Sequence, residues 1–530
     1  MPKPTIPEMN VIKKNWRNVD LKIALCYPNV YRAGMTGFTV RLLYALFNAR
    51  EDVACERFFI PTRNEALLSL ESGRPLKNFD VIAFTLQYEE DYFNVLRMLI
   101  ESNIPLKSKE RAEKGPLIIA GGPCATENPE PLADYIDLFV IGEAEPILDS
   151  LVDKIKEMEK PVKNVEEFAD LRGVYVPKIR NSAERVWVKN LDDAPHPLAQ
   201  QIPLVDSRSP YMTIFGKTFV VEPVRGCGRG CRFCLVGHIA RPKRERSLKK
   251  LEQILEEGMQ YTPVKKVTLV GAGLSDYSKL EEICEFIISR GWKISIPSLR
   301  PEAVTERLAK TISKGGQRTV AIAPEGGSQK IRRFVKKDVE EEQIINAAKI
   351  LLQNGIKRLK LYFLIGFSCE EFEDIKAIVE LSKKIADLGF GSKAVHISVN
   401  PLIPKPHTPF QWEPFASLEH LRKSLTFIKS QLRKDRRFVV SGLNPKHAQM
   451  QAVLSLGDRK IGKVVELAAR KGGGLGSWRR ALKEMDVNLE SYLQKKRFNT
   501  VLPWSHIQIG LNSSFLIIEL EKAYNECCFN

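Results

Sequence analysis

The sequence predicts an α/β protein with two parallel sheets in tandem: an open doubly wound sheet, then a partial barrel of six βα units, then a basic, mainly helical extension. Three observations predict it. Short apolar runs bounded by Gly and Pro recur along the chain, as strands covered on both faces do. Amphipathic helical stretches separate these runs. The alternation lapses over residues 159–213 and ends after Pro414, which divides the 530 residues into segments 1–158, 159–213, 214–414 and 415–530.

In the first segment the runs LKIALCYPN, VACERFFIP, FDVIAFTLQ, PLIIAGGPC and DLFVIGEAEP are strands, with helices through RLLYALFNAR and NVLRMLIES. An open sheet of this kind binds ligands outside the carboxyl ends of its strands. That rim holds the Gly-rich ends Ala120–Cys124 and Ile141–Pro146. The second segment, with VYVP and VWVKN, is a linker with a small β element. The third alternates again through FVVEPV, KVTLVGAG, KISIPSL, TVAIAPEG, RLKLYFLIG and AVHISVNPLIP, with helices expected over 247–260, 277–290, 301–313, 339–354 and 370–388. In a parallel barrel the reactive residues stand at the carboxyl ends of such strands. The last segment is helical through LEHLRKSLTFIKSQLRK, KVVELAARK and SWRRALKEM, and is expected to pack on the barrel.

Composition narrows the function classes. With 44% hydrophobic and 27% charged residues the chain is folded and globular. No run reaches the roughly 18 apolar residues of a membrane span, and the amino terminus lacks an apolar signal core, so a cytoplasmic protein with no membrane partner is expected. Ten cysteines in a reducing compartment read as thiols or metal ligands. Cys227, Cys231 and Cys234 cluster, as do Cys527 and Cys528; Cys26, Cys55, Cys284 and Cys369 are expected to be small buried apolar groups. Residues 1–200 carry 26 basic and 30 acidic side chains and the remainder 55 and 34, which points either to an acidic or polyanionic partner for the second half or to a basic solvated surface.

The chemistry is concentrated after the first strand of the expected barrel, in VRGCGRGCRFCLVG. Three thiolates in C-x3-C-x2-C spacing on one short loop suit three irons of a cubane cluster and leave the fourth iron open, as a catalytic centre requires. The alternatives are a structural zinc loop, with His238 the nearest fourth ligand, or three unligated thiols. Gly226, Gly228 and Gly230 let the loop fold tightly, and Arg225, Arg229 and Arg232 favour thiolates.

This cysteine motif, with Phe233 before its third cysteine, resembles that of the radical S-adenosylmethionine superfamily. The resemblance continues over about residues 215–410 and implies the cofactor contacts. Gly271, Ala272 and Gly273 match the small-residue segment after the second strand, near the methionine amino group. Ser298 and Arg300 stand at the third strand end. Glu325 and Ser328 match the fourth-strand segment, with Arg332 or Arg333 for the cofactor carboxylate. Ile365 and Gly366 match the fifth-strand motif beside the adenine. The amino-terminal segments FDVIAFTLQ, AGGPCATENPEPLADY and VIGEAEP are similar to the cobalamin-binding-type domain that precedes many enzymes of this superfamily, and YPNVYRAGM, LESGRP, FTLQYE and LPWSHI narrow the resemblance to an uncharacterised branch of it. There is no Asp-x-His-x-x-Gly motif, and Cys124 stands where many relatives have His. This leaves a cobalamin bound without a histidine ligand, or a sheet of this type without that cofactor.

The resemblance implies an enzyme that cleaves S-adenosylmethionine reductively at a [4Fe-4S] cluster on Cys227, Cys231 and Cys234, giving a 5′-deoxyadenosyl radical, with electrons from a small donor such as flavodoxin or ferredoxin. It would be a cobalamin-dependent methylase if that cofactor is bound. Two alternatives stand beside it: a cobalamin-independent enzyme acting on RNA or a ribosomal protein, and a non-enzymatic iron-sulfur protein. The basic run Ala240–Lys250 is either a phosphate contact or a loop tied down by neighbouring carboxylates. His396, His407 and His506 read as structural polar groups, and Tyr88, Glu89 and Glu90 as a helix start or a site contact.

Overall fold

A computed structural model describes residues 6–62, 65–111 and 115–528; the side chain of Cys528 lies outside the described residues. Its amino-terminal sheet contains β1 (Leu21–Val30), β2 (Val53–Ile60), β3 (Val81–Thr85), β4 (Leu117–Gly121), β5 (Leu138–Val140) and β6 (Val174–Tyr175) in the order β2-β1-β3-β4-β5-β6. All pairs are parallel except β5–β6. Strand alternation sends Ile23 and Leu25 to one face, under helices α1 (Thr39–Ala49) and, further along the chain, α4 (Leu148–Glu157). Ala24 and Cys26 face the other way, towards α2 (Tyr92–Glu101). Both faces are covered, which is why these strands read as unbroken apolar runs. A short helix, α3 (Pro123–Glu127), begins directly after β4.

The central region holds β7 (Phe219–Val221), β8 (Lys266–Leu269) and β9 (Lys293–Ser295), paired parallel in that order. A second parallel set follows as β10 (Thr319–Glu325), β11 (Arg358–Ile365), β12 (Val395–Pro401) and β13 (Phe438–Ser441). A parallel bridge from Leu299 to Ile322 joins the two sets, so seven consecutive strands run side by side in chain order. Between them lie α5 (Leu248–Tyr261), α6 (Leu280–Ser289), α7 (Glu306–Lys314), α8 (Gln329–Phe334), α9 (Glu341–Gln353), α10 (Phe372–Ala386) and α11 (Leu418–Leu432). The sheet thus continues past residue 414: β13 is a short apolar run among basic residues, and its strand character shows only once it pairs with β12.

The carboxyl-terminal helices correct one expectation. Helices α12 (Pro445–Leu456), α13 (Arg459–Arg470) and α14 (Gly474–Glu484) reach the amino-terminal sheet as well as the central one. Trp478 of α14 packs edge-on against Phe93 of α2, and the Gly462 carbonyl of α13 accepts from Tyr135. An amphipathic helix declares that it buries a face, and leaves open against which neighbour. The last helix, α15 (Ser513–Cys528), lies against α8 and shares a core with Phe334, Phe410 and Trp412. Among the described residues no helix is long and apolar enough to cross a membrane.

Candidate functional site

The cysteine loop is pinned at its base by a two-residue antiparallel pairing of Val224-Arg225 with Arg244-Glu245. Gly226 sits at φ 77°, and a Cβ there would lie 2.2 Å from the Ala240 carbonyl oxygen, so the turn into the loop admits only glycine. Gly230 has φ 69°. The loop ends as Gly237 N–H points at Cys234 Sγ, 3.4 Å away. Burial pushes the Cys234 thiol up to about 12, with that N–H pulling the other way. Burial also raises Cys231, against the nearby positive charges of Lys337 and Arg300. A bound cation would reverse both shifts by stabilising thiolates.

The three thiols are close enough to act on one another's charge, yet they are not a single-ion site. Two bonds of about 2.3 Å can span only about 4.6 Å between sulfurs. Among the described residues, Cys227, Cys231, Cys234 and His238 contain no set of three donors within 4.8 Å of one another. His238 uses Nδ1 on the Cys234 carbonyl at 2.8 Å, and burial pushes it down to about 4. A mononuclear zinc loop with His238 as fourth ligand does not fit this arrangement.

The structure gathers part of the expected cofactor set around this loop. Gly271 and Gly273 lie against its base: a Cβ on Gly271 would sit 2.5 Å from the Val224 carbonyl, and one on Gly273 2.9 Å from the Gly226 carbonyl and 3.6 Å from Cys227 Cα. Ala272 is exposed between them. Arg300 pairs with Glu302 at 2.6 Å, and Ser298, two residues earlier, is exposed. Glu325 ends β10 in the left-handed region at φ 65°, next to an irregularity in the strand register, and is held by Lys337 at 3.0 Å.

Other expected residues are spent elsewhere. Arg332 is fully buried and donates to the Gly327 and Val339 carbonyls, both at 2.8 Å, and to Gln329, so its guanidinium closes the start of α8. Ser328 caps the same helix and donates to Asp374 at 2.6 Å. Arg333 is half-exposed near Glu340. Ile365 points into the core, while the Gly366 N–H, at φ 93°, is held by Glu370. Phe233 packs beside the aromatic core under α15. Arg232 clamps α15 through Glu526 at 2.7 Å, and Lys336 does so through Glu519 at 2.8 Å.

Sequence reasoning missed Lys337, which no spacing distinguishes from its neighbours in RRFVKK, and it missed how the two sheets meet. Arg225 reaches from the cysteine loop to Glu143 and Glu145 beyond β5, at 2.9 and 2.8 Å, and to Glu222 at 2.7 Å. The basic run 240–250 is largely consumed at the same seam. Arg244 binds Glu143 and the Val188 carbonyl, Lys243 binds Glu245, and Arg246 donates to the Ala194 carbonyl. Cys26, Cys55 and Cys284 are buried as expected, but Cys369 is only half-buried and hydrogen-bonds Cys527. His396 and His506 lie against Lys393 and Glu130.

Between the amino-terminal sheet and helices α1 and α4 lies a cavity of about 370 Å³. Its walls are mostly apolar, from Leu42, Phe47, Ile119, Val140 and Leu151. Gly121 faces it, and a Cβ there would meet nothing nearer than Val140 at 3.7 Å. The far wall belongs to the cysteine loop and the turn that follows it: Arg225, Val236, Ile239 and Ala240. No histidine is among the described residues lining the cavity.

Comparison with known proteins places this architecture. A family model described as the radical SAM superfamily matches residues 221–382, and one for the amino-terminal region of radical SAM proteins matches residues 39–177. An uncharacterized protein of Methanocaldococcus jannaschii is 32% identical over 92% of this chain and 98% of its own length. Among solved structures, the radical S-adenosylmethionine methyltransferase TsrM from Kitasatospora setae, with tryptophan substrate and a SAM analog bound, covers 88% of this chain and 99% of its own at 11% identity, with a TM-score of 0.56. The cobalamin-dependent S-adenosylmethionine radical enzyme OxsB, with aqua-cobalamin and S-adenosylmethionine bound, covers 88% of this chain and 70% of its own at 14% identity and a TM-score of 0.53. At such identities these two likenesses are likenesses of fold.

Proposed function

Since the chain belongs to the radical S-adenosylmethionine superfamily, we propose that this cytoplasmic enzyme holds a [4Fe-4S] cluster on Cys227, Cys231 and Cys234 and works with a corrinoid as a methylase. The observation that carries the reading is a shared wall: the cavity of the amino-terminal sheet is closed by residues of the cysteine loop and its following turn. A corrinoid arm in that cavity and a cluster on that loop would be neighbours. When bound, the cluster supplies the electron that cleaves S-adenosylmethionine to methionine and a 5′-deoxyadenosyl radical, and a corrinoid supplies a transferable methyl group.

The chain's own residues bind and orient. Gly226, Gly271 and Gly273 let neighbouring backbone segments pack directly on the base of the cysteine loop, where a Cβ would clash, and so fix the loop that would hold the cluster. Lys337 and Arg300 are both close enough to Cys231 to act on its charge, and each is itself paired with a carboxylate, Glu325 and Glu302. They are better placed than Arg332, whose guanidinium is spent on the carbonyls at the start of α8. The apolar cavity, without a histidine on its described walls, suits a corrinoid that takes no protein imidazole. The Arg225 seam and the docking of α15 tie the cysteine loop to its neighbours on two sides.

The test is anaerobic reconstitution with iron and sulfide, followed by S-adenosylmethionine, a reductant and hydroxocobalamin. 5′-Deoxyadenosine and retained corrinoid are the expected products. A full cluster that yields no deoxyadenosine, even with cell extract as a source of substrate, would overturn the reading; deoxyadenosine without retained corrinoid would restrict it to a cobalamin-independent enzyme.

A further inference from the structure

A second group of metal-type donors lies beside α3, on residues that do not line the cavity. Glu89 follows β3, and Cys124 and Glu127 stand on α3. One oxygen of Glu89, the Cys124 sulfur and one oxygen of Glu127 all lie within 4.8 Å of one another. That is about the span that two metal–ligand bonds of about 2.0–2.3 Å can bridge. All three side chains are buried, Glu127 completely.

The Ser455 hydroxyl is the one hydrogen-bonding neighbour acting on Glu127, and neither carboxylate oxygen is otherwise satisfied. A wholly buried carboxylate with so few donors is costly to keep ionised. Burial raises both the Glu127 carboxyl and the Cys124 thiol well above their ordinary ranges, as it does for groups whose counter-charge is missing. One cation is at hand: Lys405, on the segment after β12, contacts Glu89 and lies 3.9 Å from Glu127. Burial pushes Lys405 down to about 7, so it answers at most one of the three negative charges that two carboxylates and a thiolate would carry, and a divalent cation would balance the other two. His407, two residues further along the same segment, is buried, hydrogen-bonds the Glu127 backbone and leaves Nε2 without a partner. Gln451 of α12 fixes Glu89 from behind at 2.8 Å.

We propose that Cys124, Glu89 and Glu127 hold one divalent cation, tying the rim of the amino-terminal sheet to the Lys405–His407 segment of the central sheet. One sulfur among carboxylate oxygens selects a borderline ion, zinc, over calcium or magnesium, which take oxygen alone. The site is independent of the cysteine loop, and the ion would add to the Lys405–Glu89 contact and the His407–Glu127 hydrogen bond that already join the two segments.

The test uses the full chain with its iron–sulfur cluster reconstituted, equilibrated with zinc and then dialysed against metal-free buffer. About one zinc per chain is expected, with a single sulfur among its ligands at the zinc absorption edge. Cys124→Ser should lower the retained zinc at least about tenfold, and added zinc should raise the Tm of the wild-type chain and leave that of the variant unchanged. Zinc retained equally by Cys124→Ser, or bound by several sulfurs, would place it on the cysteine loop and overturn the proposal. So would a wild-type chain that retains no zinc, which would leave Glu127 as a buried neutral acid. The edge measurement needs only the wild-type chain, so a misfolded variant would not blunt it.

Discussion

The two strand rims that face each other across the site are built by opposite means. On the central rim, three cysteines come from one loop of eight residues, and glycines bring the neighbouring loop onto its base. On the amino-terminal rim, Glu89 follows β3, Cys124 and Glu127 stand on α3 after β4, and Lys405 arrives from the other sheet. The first arrangement is local and can be loaded by one segment of chain. The second gains its counter-charge, Lys405, only when both sheets are docked. The difference teaches that in this fold the reactive centre is a motif, whereas its enclosure is a tertiary product held by buried charge.

The largest effect should come from the local rim. Cys227→Ala, Cys231→Ala and Cys234→Ala are each expected to cut 5′-deoxyadenosine formation by more than about 100-fold, since a lost ligand costs more than the 10- to 100-fold of a lost outer partner. Activity surviving in any one of them would break the assignment of that cysteine.

The enclosure is tested next by Arg225→Ala, which strands Glu145 and Glu222 at the seam and leaves Glu143 to Arg244 alone. Its side chain is only 12% exposed and the three carboxylates 7–14%. Breaking such a pair costs about 3–5 kcal/mol, because the partners stay buried and unpaired. Denaturant unfolding should show that loss; an unchanged midpoint would mean that the rims are held together elsewhere.

What was legible in the sequence follows the same division. The strands of both sheets announced themselves because burial on two faces demands apolar runs, and the cysteine loop did so because its ligands are contiguous. Strand β13 was missed for being short and flanked by basic residues. Arg332 and Lys337 could not be ranked in advance: both are cations after the same strand, and only the packing of α8, which spends the Arg332 donors on carbonyls, leaves Lys337 facing the loop. The basic run 240–250 could have served phosphate or its own carboxylates, and the ion pairs with Glu143 and Glu245 favour the second. No spacing rule could have joined Lys405 to Glu89.

A milder change separates the cavity from the loop that walls it. Gly121→Leu would project into the space beside Val140 without touching the cysteines. Corrinoid retention should fall at least about tenfold, or about 1.4 kcal/mol, while deoxyadenosine formation persists. Loss of both together would show that cavity and loop fold as one unit.

The smallest effect concerns the end of β11. Glu370 holds the Gly366 N–H and pairs with His420 at 3.2 Å. The Glu370 carboxylate raises His420 above its ordinary range, whereas burial raises Glu370 itself. A histidine raised on folding contributes stability that is fully present below its unfolded value and is lost as pH rises through the folded one. His420 is 40% exposed, so solvent screening holds the contribution below about 1 kcal/mol. The stability gap between the wild-type chain and His420→Ala should therefore be widest near about pH 6 and close towards about pH 8. Urea midpoints across that range would read it, and a gap that stayed constant would mean that His420 holds the strand end by packing rather than by charge.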